Sequence, residues 1–215
     1  MTTQYVFSEE EVRTVYRVIA ERRDMRHFTP EPVAPDILEK LLRAGHHAPS
    51  VGLMQPWRFI RITDNKIRQN IHALVNDERL LTAQALGERE NEFMRLKVEG
   101  IKQCGELLVV TLCDRRDEYV FGRRTLPEMD LASVACAIQN IWLAARAEGL
   151  GMGWVSLFDP DRLRALLNIP DGAKPVAILC IGHVPEFYAQ PMLVQEKWAE
   201  EQPLEALVME NSWQA

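Results

Sequence analysis

Arg22-Arg23-Asp24-Met25-Arg26 sets three guanidiniums around one carboxylate. Arginine carries a planar fork that grips phosphate oxygens in pairs. A carboxylate inside such a cluster opposes anion binding unless it has work of its own. On a continued helix Arg22 and Arg26, four residues apart, would share a face. Two readings fit the segment taken alone. It is either an anion clamp beside a reactive carboxylate, or a solvated helix end whose arginines favour the C-terminal dipole while Asp24 pairs with them. Under the first, Asp24 is a candidate general base.

The elements around this pentad set the fold class. Ser8 with Glu11 forms a capping box, and Val12, Val15, Tyr16 and Ile19 follow at helical spacing, so a helix should run to about Arg22. Pro35 opens a second helix carrying Ile37, Leu38, Leu41 and Leu42. Trp57 to Ile62 alternates as a strand, and Asp64 caps a polar helix to about Asn76. Residues 77–103 are helical in pattern but highly charged, which suggests an exposed flap. Leu107–Cys113 is a buried strand. Glu128–Glu148 is a long helix, apolar nearly all round, and belongs at the centre or at a subunit interface. Trp154–Leu157 and Val176–Ile181 are strands, with a short helix from Asp159-Pro160 to Asn168 between them. Helices outnumber strands without alternating one for one, so the class is α+β. No linker or repeat interrupts residues 1–215, which read as one domain. The tail from about Pro185 is too apolar to float free and should pack along a neighbour.

Composition narrows the function classes. The 215 residues are 47% hydrophobic and 26% charged, and the net charge of −6 argues against a nucleic-acid surface. The longest uncharged stretch, Leu131–Ala145, is too short to span a membrane. The start shows no basic segment followed by an apolar run. Cys104, Cys113, Cys136 and Cys180 are scattered, without a CxxC pair, and suit a reducing compartment, so a cytoplasmic location is expected. His27, His46, His47, His72 and His183 form no spaced ligand set, and no metal is expected.

Other candidates carry weaker signals. Ala48–Gln55 is a loop of small residues that either admits a ligand close to its backbone or merely joins helix to strand. Gly149–Gly153 follows a helix and opens a strand, the reverse of a phosphate-binding glycine loop, so it reads as a helix cap plus close packing. Ser156 lies on the short strand with no nucleophile-elbow pattern around it. Its hydroxyl either meets a ligand or is satisfied within the strand.

Taken together, Arg22–Phe28, Ala48–Phe59 and the helix ending Leu143–Gly149 resemble the nitroreductase-like flavoprotein superfamily, from about Glu11 to Trp213. The resemblance implies a homodimeric fold with a central, mostly antiparallel sheet flanked by helices. It implies FMN at the subunit interface and an extended C-terminal arm over residues 185–215. Arg22, Arg23 and Arg26, with Asp24 and Met25 between them, would face the FMN phosphate and ribityl chain. Ser50, with Leu53 and Gln55, would reach the flavin from the partner subunit's loop. The flap at 77–103 would cover the ring, with Lys97 a candidate for its pyrimidine edge.

Two departures sharpen the expectation. Ordinary members place Ser at the position of Asp24 and Asn at that of Leu53. The altered pair, with Gly122–Asp130 and Trp154–Pro160, resembles the branch that consumes reduced FMN and dioxygen to make the lower ligand of vitamin B12. Fragmenting the flavin requires proton removal near the ribityl chain, and the resemblance gives Asp24 and Ser156 the active-site roles. Reduced FMN would then come from a separate flavin reductase. The competing readings are an NAD(P)H-dependent nitro- or quinone reductase, a corrinoid reductase, and a flavin-binding protein without catalysis.

Overall fold

The computed structural model describes residues 6–213. The first five residues of the expected domain and the last two of the arm lie outside that range. Four strands form one antiparallel sheet in the order β1-β2-β4-β3, where β1 is Trp57–Arg61, β2 Glu106–Leu112, β3 Gly151–Val155 and β4 Lys174–Gly182. Six helices serve it: α1 Glu9–Glu21, α2 Pro35–His46, α3 Asn65–Ala85, α4 Glu90–Arg95, α5 Met129–Ala147 and α6 Pro160–Leu166; a short turn of helix, α7, spans Met192–Gln195. The α+β class and the antiparallel sheet are as expected from the sequence.

The two central strands are buried on both faces. Leu108, Val110 and Leu112 of β2, with Ala177, Leu179 and Ile181 of β4, pack against Leu38 and Leu41 of α2 and Val134, Ile138 and Ile141 of α5. The alternate residues Leu107, Val109, Ile178 and Cys180 face Ile71 and Val75 of α3 and Leu163 of α6. Double burial explains why these strands are continuous apolar runs rather than alternating ones. At roughly 25 cal/mol per Å² of apolar surface, these two layers dominate the folding energy.

Several boundaries differ from expectation. The helix capped by Asp64, whose side chain accepts from Ile67 N at 2.9 Å, continues to Ala85 instead of Asn76. Ala83 packs there with Phe93 and Leu96, so the first third of the expected flap is continuous helix held by tertiary contact. Strand β3 begins at Gly151, earlier than expected, and ends at Val155. Gly149, at φ +76°, closes α5: its N–H meets Arg146 O at 3.2 Å and Leu150 N meets Ala145 O at 2.8 Å, the Schellman arrangement.

The glycines of β3 have a packing reason. After α1 the chain runs along the free edge of β3, where Asp24 bridges Met152 in parallel and Met25 N donates to Met152 O at 3.0 Å. A Cβ at Gly153 would sit 2.3 Å from Met25 O and 2.8 Å from Arg26 Nη1. One at Gly151 would sit 2.4 Å from Val184 Cγ1. Helix α1 lies against α5 yet buries none of its residues; Val12, Val15, Tyr16 and Ile19 are all exposed. Gly153→Ala should therefore lose about 1–3 kcal/mol of stability through overpacking. Urea denaturation checks this, and an unchanged midpoint would show that the pentad is not seated against β3.

Candidate active site

The helical reading of the pentad gives way to a crossing strand-like segment. Arg22 is the C-cap of α1, with φ −61° and ψ 134°, and its N–H meets Val18 O at 3.0 Å. Beyond it the backbone is extended, so Arg22 and Arg26 do not share a helix face. Each arginine takes a different post. Arg22 stacks over Trp142 at 4.5 Å. Arg23 donates to Ala20 O, Arg22 O and Ala189 O at 2.6, 2.8 and 3.1 Å, while its buried Nε has no partner. Trp142 Nε1 in turn donates to Arg23 O at 3.1 Å.

Asp24 and Arg26 complete the edge of β3 with side chains. Asp24 Oδ1 accepts from Trp154 N at 2.9 Å, Asp24 Oδ2 pairs with Arg26 Nη2, and Arg26 Nη2 also donates to Trp154 O at 3.0 Å. Both polar groups of the Trp154 backbone are thus satisfied without a further strand. Met25, between them, is fully buried. The arm closes over this segment: Tyr188 Oη accepts from Arg26 N at 3.2 Å and lies 2.6 Å from His27 Nδ1.

Asp24 stands where two cavities meet. One, of about 300 Å³, is lined by Ile19, Arg22, Arg23, Asp24, Leu193 and Glu201 among others. The other, of about 220 Å³, brings together Asp24, Arg26, Trp154, Ser156, Met192 and Trp198, with Phe93, Leu96 and Val98 of the flap. Ser156 sits one residue past the end of β3, not within the strand, and is exposed. Flap and arm are joined over this cavity. Arg89 lies 3.5 Å above the Trp198 ring, donates to Trp198 O at 3.1 Å, and pairs with Glu92.

Burial pushes the Asp24 carboxyl above the usual carboxylate range, against the opposing pull of Arg26, the Trp154 N–H and Arg22. Burial also raises the Tyr188 phenol. His72 is lowered, first by burial, and the charges of Lys102 and Lys97 add to that against the pull of Glu99.

The remaining candidates lie elsewhere. Lys97 is half-buried beside His72, and it is Leu96 and Val98 on either side of it that line the cavity. Ser50 Oγ accepts from Gln55 N at 3.0 Å, inside its own loop. Leu53 is 80% exposed with φ +52°, and Gln55 has φ +47°. Helix α5 measures the separation. Its Ser133 Oγ accepts from Val51 N at 3.0 Å, while its Trp142 holds Arg23 O, and nine residues of helix rise about 13 Å. Within one chain the Ser50–Gln55 loop and the Arg22–Arg26 segment are therefore apart. Tyr188, Trp142 and Trp198 escaped the sequence reading. Their one signal was aromatic residues in a helix and a Pro-containing tail that needed a neighbour.

Comparison with known proteins agrees with this architecture. The Nitroreductase family model matches residues 19–183. A 5,6-dimethylbenzimidazole synthase of Rhodobacter capsulatus is 40% identical over 191 residues, covering 87% of this chain and 92% of the relative. One of Rhodospirillum rubrum is 38% identical, covering 85% and 87%. Among solved structures, iodotyrosine deiodinase bound to FMN and 3-iodo-L-tyrosine superposes with a TM-score of 0.72 at 22% identity, covering 93% of this chain and all of that one. A BluB-like flavoprotein of Clostridium difficile gives 0.70 at 17%, covering 91% and 97%, a likeness of fold. The chain belongs to the nitroreductase family. No described helix is long and apolar enough to cross a membrane.

The raised Asp24 carboxyl carries a stability consequence. A folded-state pKa above the unfolded value, near 3.9, means the fold holds this proton more tightly. The contribution is full below that value and is lost as pH rises through the folded pKa. Wild type should lose stability relative to Asp24→Asn as pH rises from the unfolded carboxylate value through the raised folded-state pKa. Denaturation of both proteins across this range reads the difference, and a gap independent of pH would contradict the assignment.

Proposed function

We propose that this chain is a 5,6-dimethylbenzimidazole synthase, which fragments reduced FMN with dioxygen in a homodimer. The observation that carries the reading is the shared cavity of Asp24 and Ser156, adjoining the one lined by Arg22 and Arg23. Two relatives near 40% identity that bear this name support it.

The donor set fits a phosphorylated flavin. Arg22 and Arg23 both line the first cavity and bring two guanidinium charges to it. The second cavity has apolar and aromatic walls with a carboxylate and a hydroxyl, the composition of a ligand pocket. At 220 and 300 Å³, each is at or below the lower end for such pockets. A second copy would complete the site. The exposed loop with Ser50, Leu53 and Gln55, and the uncovered apolar face of α1, support that role.

Bound in reduced form, FMN supplies both the electrons for dioxygen and the carbon skeleton of the product. Arg22 and Arg23 would hold the phosphate. Asp24, beside that anchor, would be placed to take a proton from the ribityl chain. Ser156, which lines the same cavity, orients or relays a proton. Phe93, Leu96, Val98 and Trp198 exclude water from it. Leu53 offers no hydrogen bond to the pyrimidine edge, unlike an amide. The protein works in the cytoplasm and receives reduced FMN from a separate flavin reductase.

Purified protein given chemically reduced FMN and air should yield 5,6-dimethylbenzimidazole by mass spectrometry. Catalytic NAD(P)H oxidation with intact FMN would instead favour a conventional reductase. Asp24→Asn should keep FMN binding and lose about 10²-fold or more in product formation, the scale of general-base catalysis. Near wild-type yield from that variant removes Asp24 from the mechanism. Ser156→Ala should slow turnover, and unchanged kinetics would leave Ser156 a lining residue.

A further inference from the structure

We infer that Arg26 is a positioning residue that acts on the reaction through Asp24, leaving the phosphate to Arg22 and Arg23. The inference deepens the proposed function and rests on it for the role of Asp24. Its geometry stands independently.

Arg26 is 7% exposed, and its Nε and Nη1 are sealed from solvent without a partner. Its Nη1 lies so close to β3 that a Cβ at Gly153 would sit 2.8 Å from it. Arg26 is also absent from the lining of the 300 Å³ cavity that Arg22 and Arg23 share. Its Nη2 instead spans Asp24 Oδ2 and Trp154 O, while Trp154 N holds Asp24 Oδ1. These contacts close a ring, so the carboxylate is held at both oxygens by groups fixed to one strand. Tyr188 holds Arg26 from behind through its backbone N–H. Among the described residues, Asp24 is the one carboxylate with which Arg26 forms an ion pair.

A base must be ionised to accept a proton, and burial works against ionisation here. The charged and titratable groups facing Asp24 are Arg22, Arg23 and Arg26 from its own segment and Tyr188 and Glu201 from the arm. Arg26 is the cation in direct contact with it. It keeps the carboxylate charged and aimed while the other two arginines line the neighbouring 300 Å³ cavity.

The test uses full-length Arg26→Met, with Arg26→Lys as the variant that keeps the charge. It has three readouts: the FMN-over-riboflavin binding preference, the pH profile of product formation, and the Asp24 titration followed by carboxyl-carbon NMR. Arg26→Met should keep the wild-type preference for FMN. Its rising pH limb and its Asp24 titration should both move up by about 1–3 pH units, with a smaller move in Arg26→Lys. Arg23→Met should do the reverse, cutting the FMN preference about tenfold or more with the titration in place. A collapse of FMN preference in Arg26→Met with an unmoved Asp24 titration overturns the inference. If Arg26→Met does not fold, an unmoved titration in Arg26→Lys together with lost FMN preference overturns it equally. Absence of product from wild type would sink the proposed function alone, because the NMR titration still reads whether Arg26 governs Asp24.

Discussion

Everything at the site depends on how closely the segment after α1 lies against β3. Met25 N donates to Met152 O, and Asp24 and Arg26 satisfy both polar groups of Trp154. That approach requires glycine at 151 and 153, since any Cβ there would meet Val184, Met25 or Arg26. The same contact ends α1, because the backbone must leave the helix to run beside a strand. It also seats Met25 in the core layer of α3 and α6. A sheet edge, a helix end and a reactive carboxylate are consequences of one backbone crossing.

Edges of sheets expose hydrogen-bonding groups that must be satisfied or shielded. At the β3 edge this is done by an ion pair. A neutral strand would have satisfied Trp154 equally well but would have left no charge at the cavity. The arrangement therefore serves structure and chemistry together. Its cost is desolvation, visible as the raised affinity of Asp24 for its proton. The arm then adds Tyr188, Met192, Leu193 and Trp198, so the site is walled by residues from both ends of the chain.

How legible this was in the sequence follows from the range of each interaction. Local signals held: the capping box at Ser8, the Asp64 cap, Pro35 at the first turn of α2 and the glycine closing α5 all rest on neighbours within a few residues. Where a partner lies far along the chain, the sequence misled. The helix beyond Asn76 persists because Ala83 finds Phe93 and Leu96. Arg22 and Arg26 were placed on one helix face because their spacing fits a helix, whereas Gly153 and Trp154, more than a hundred residues on, draw Arg26 against β3. Asp24 and Ser156 were picked out by resemblance, and the structure brings them to one cavity. The loop of Ser50 and Leu53 was placed across a subunit boundary on the same grounds. Within one chain, α5 separates that loop from the Arg22–Arg26 segment.

Asp24 and Arg26 have to be understood as a pair. A buried guanidinium whose paired carboxylate is removed is an uncompensated charge, which is costly in a fold. Placing serine at 24 would therefore do more than delete a base. It would leave Arg26 against Gly153 without its carboxylate and remove the acceptor that holds Trp154 N. At the cavity that it already lines, the arginine would then be an unpaired cation. The chemistry of the site thus turns on a two-residue unit, in which the carboxylate compensates the arginine and the arginine decides whether the carboxylate is charged.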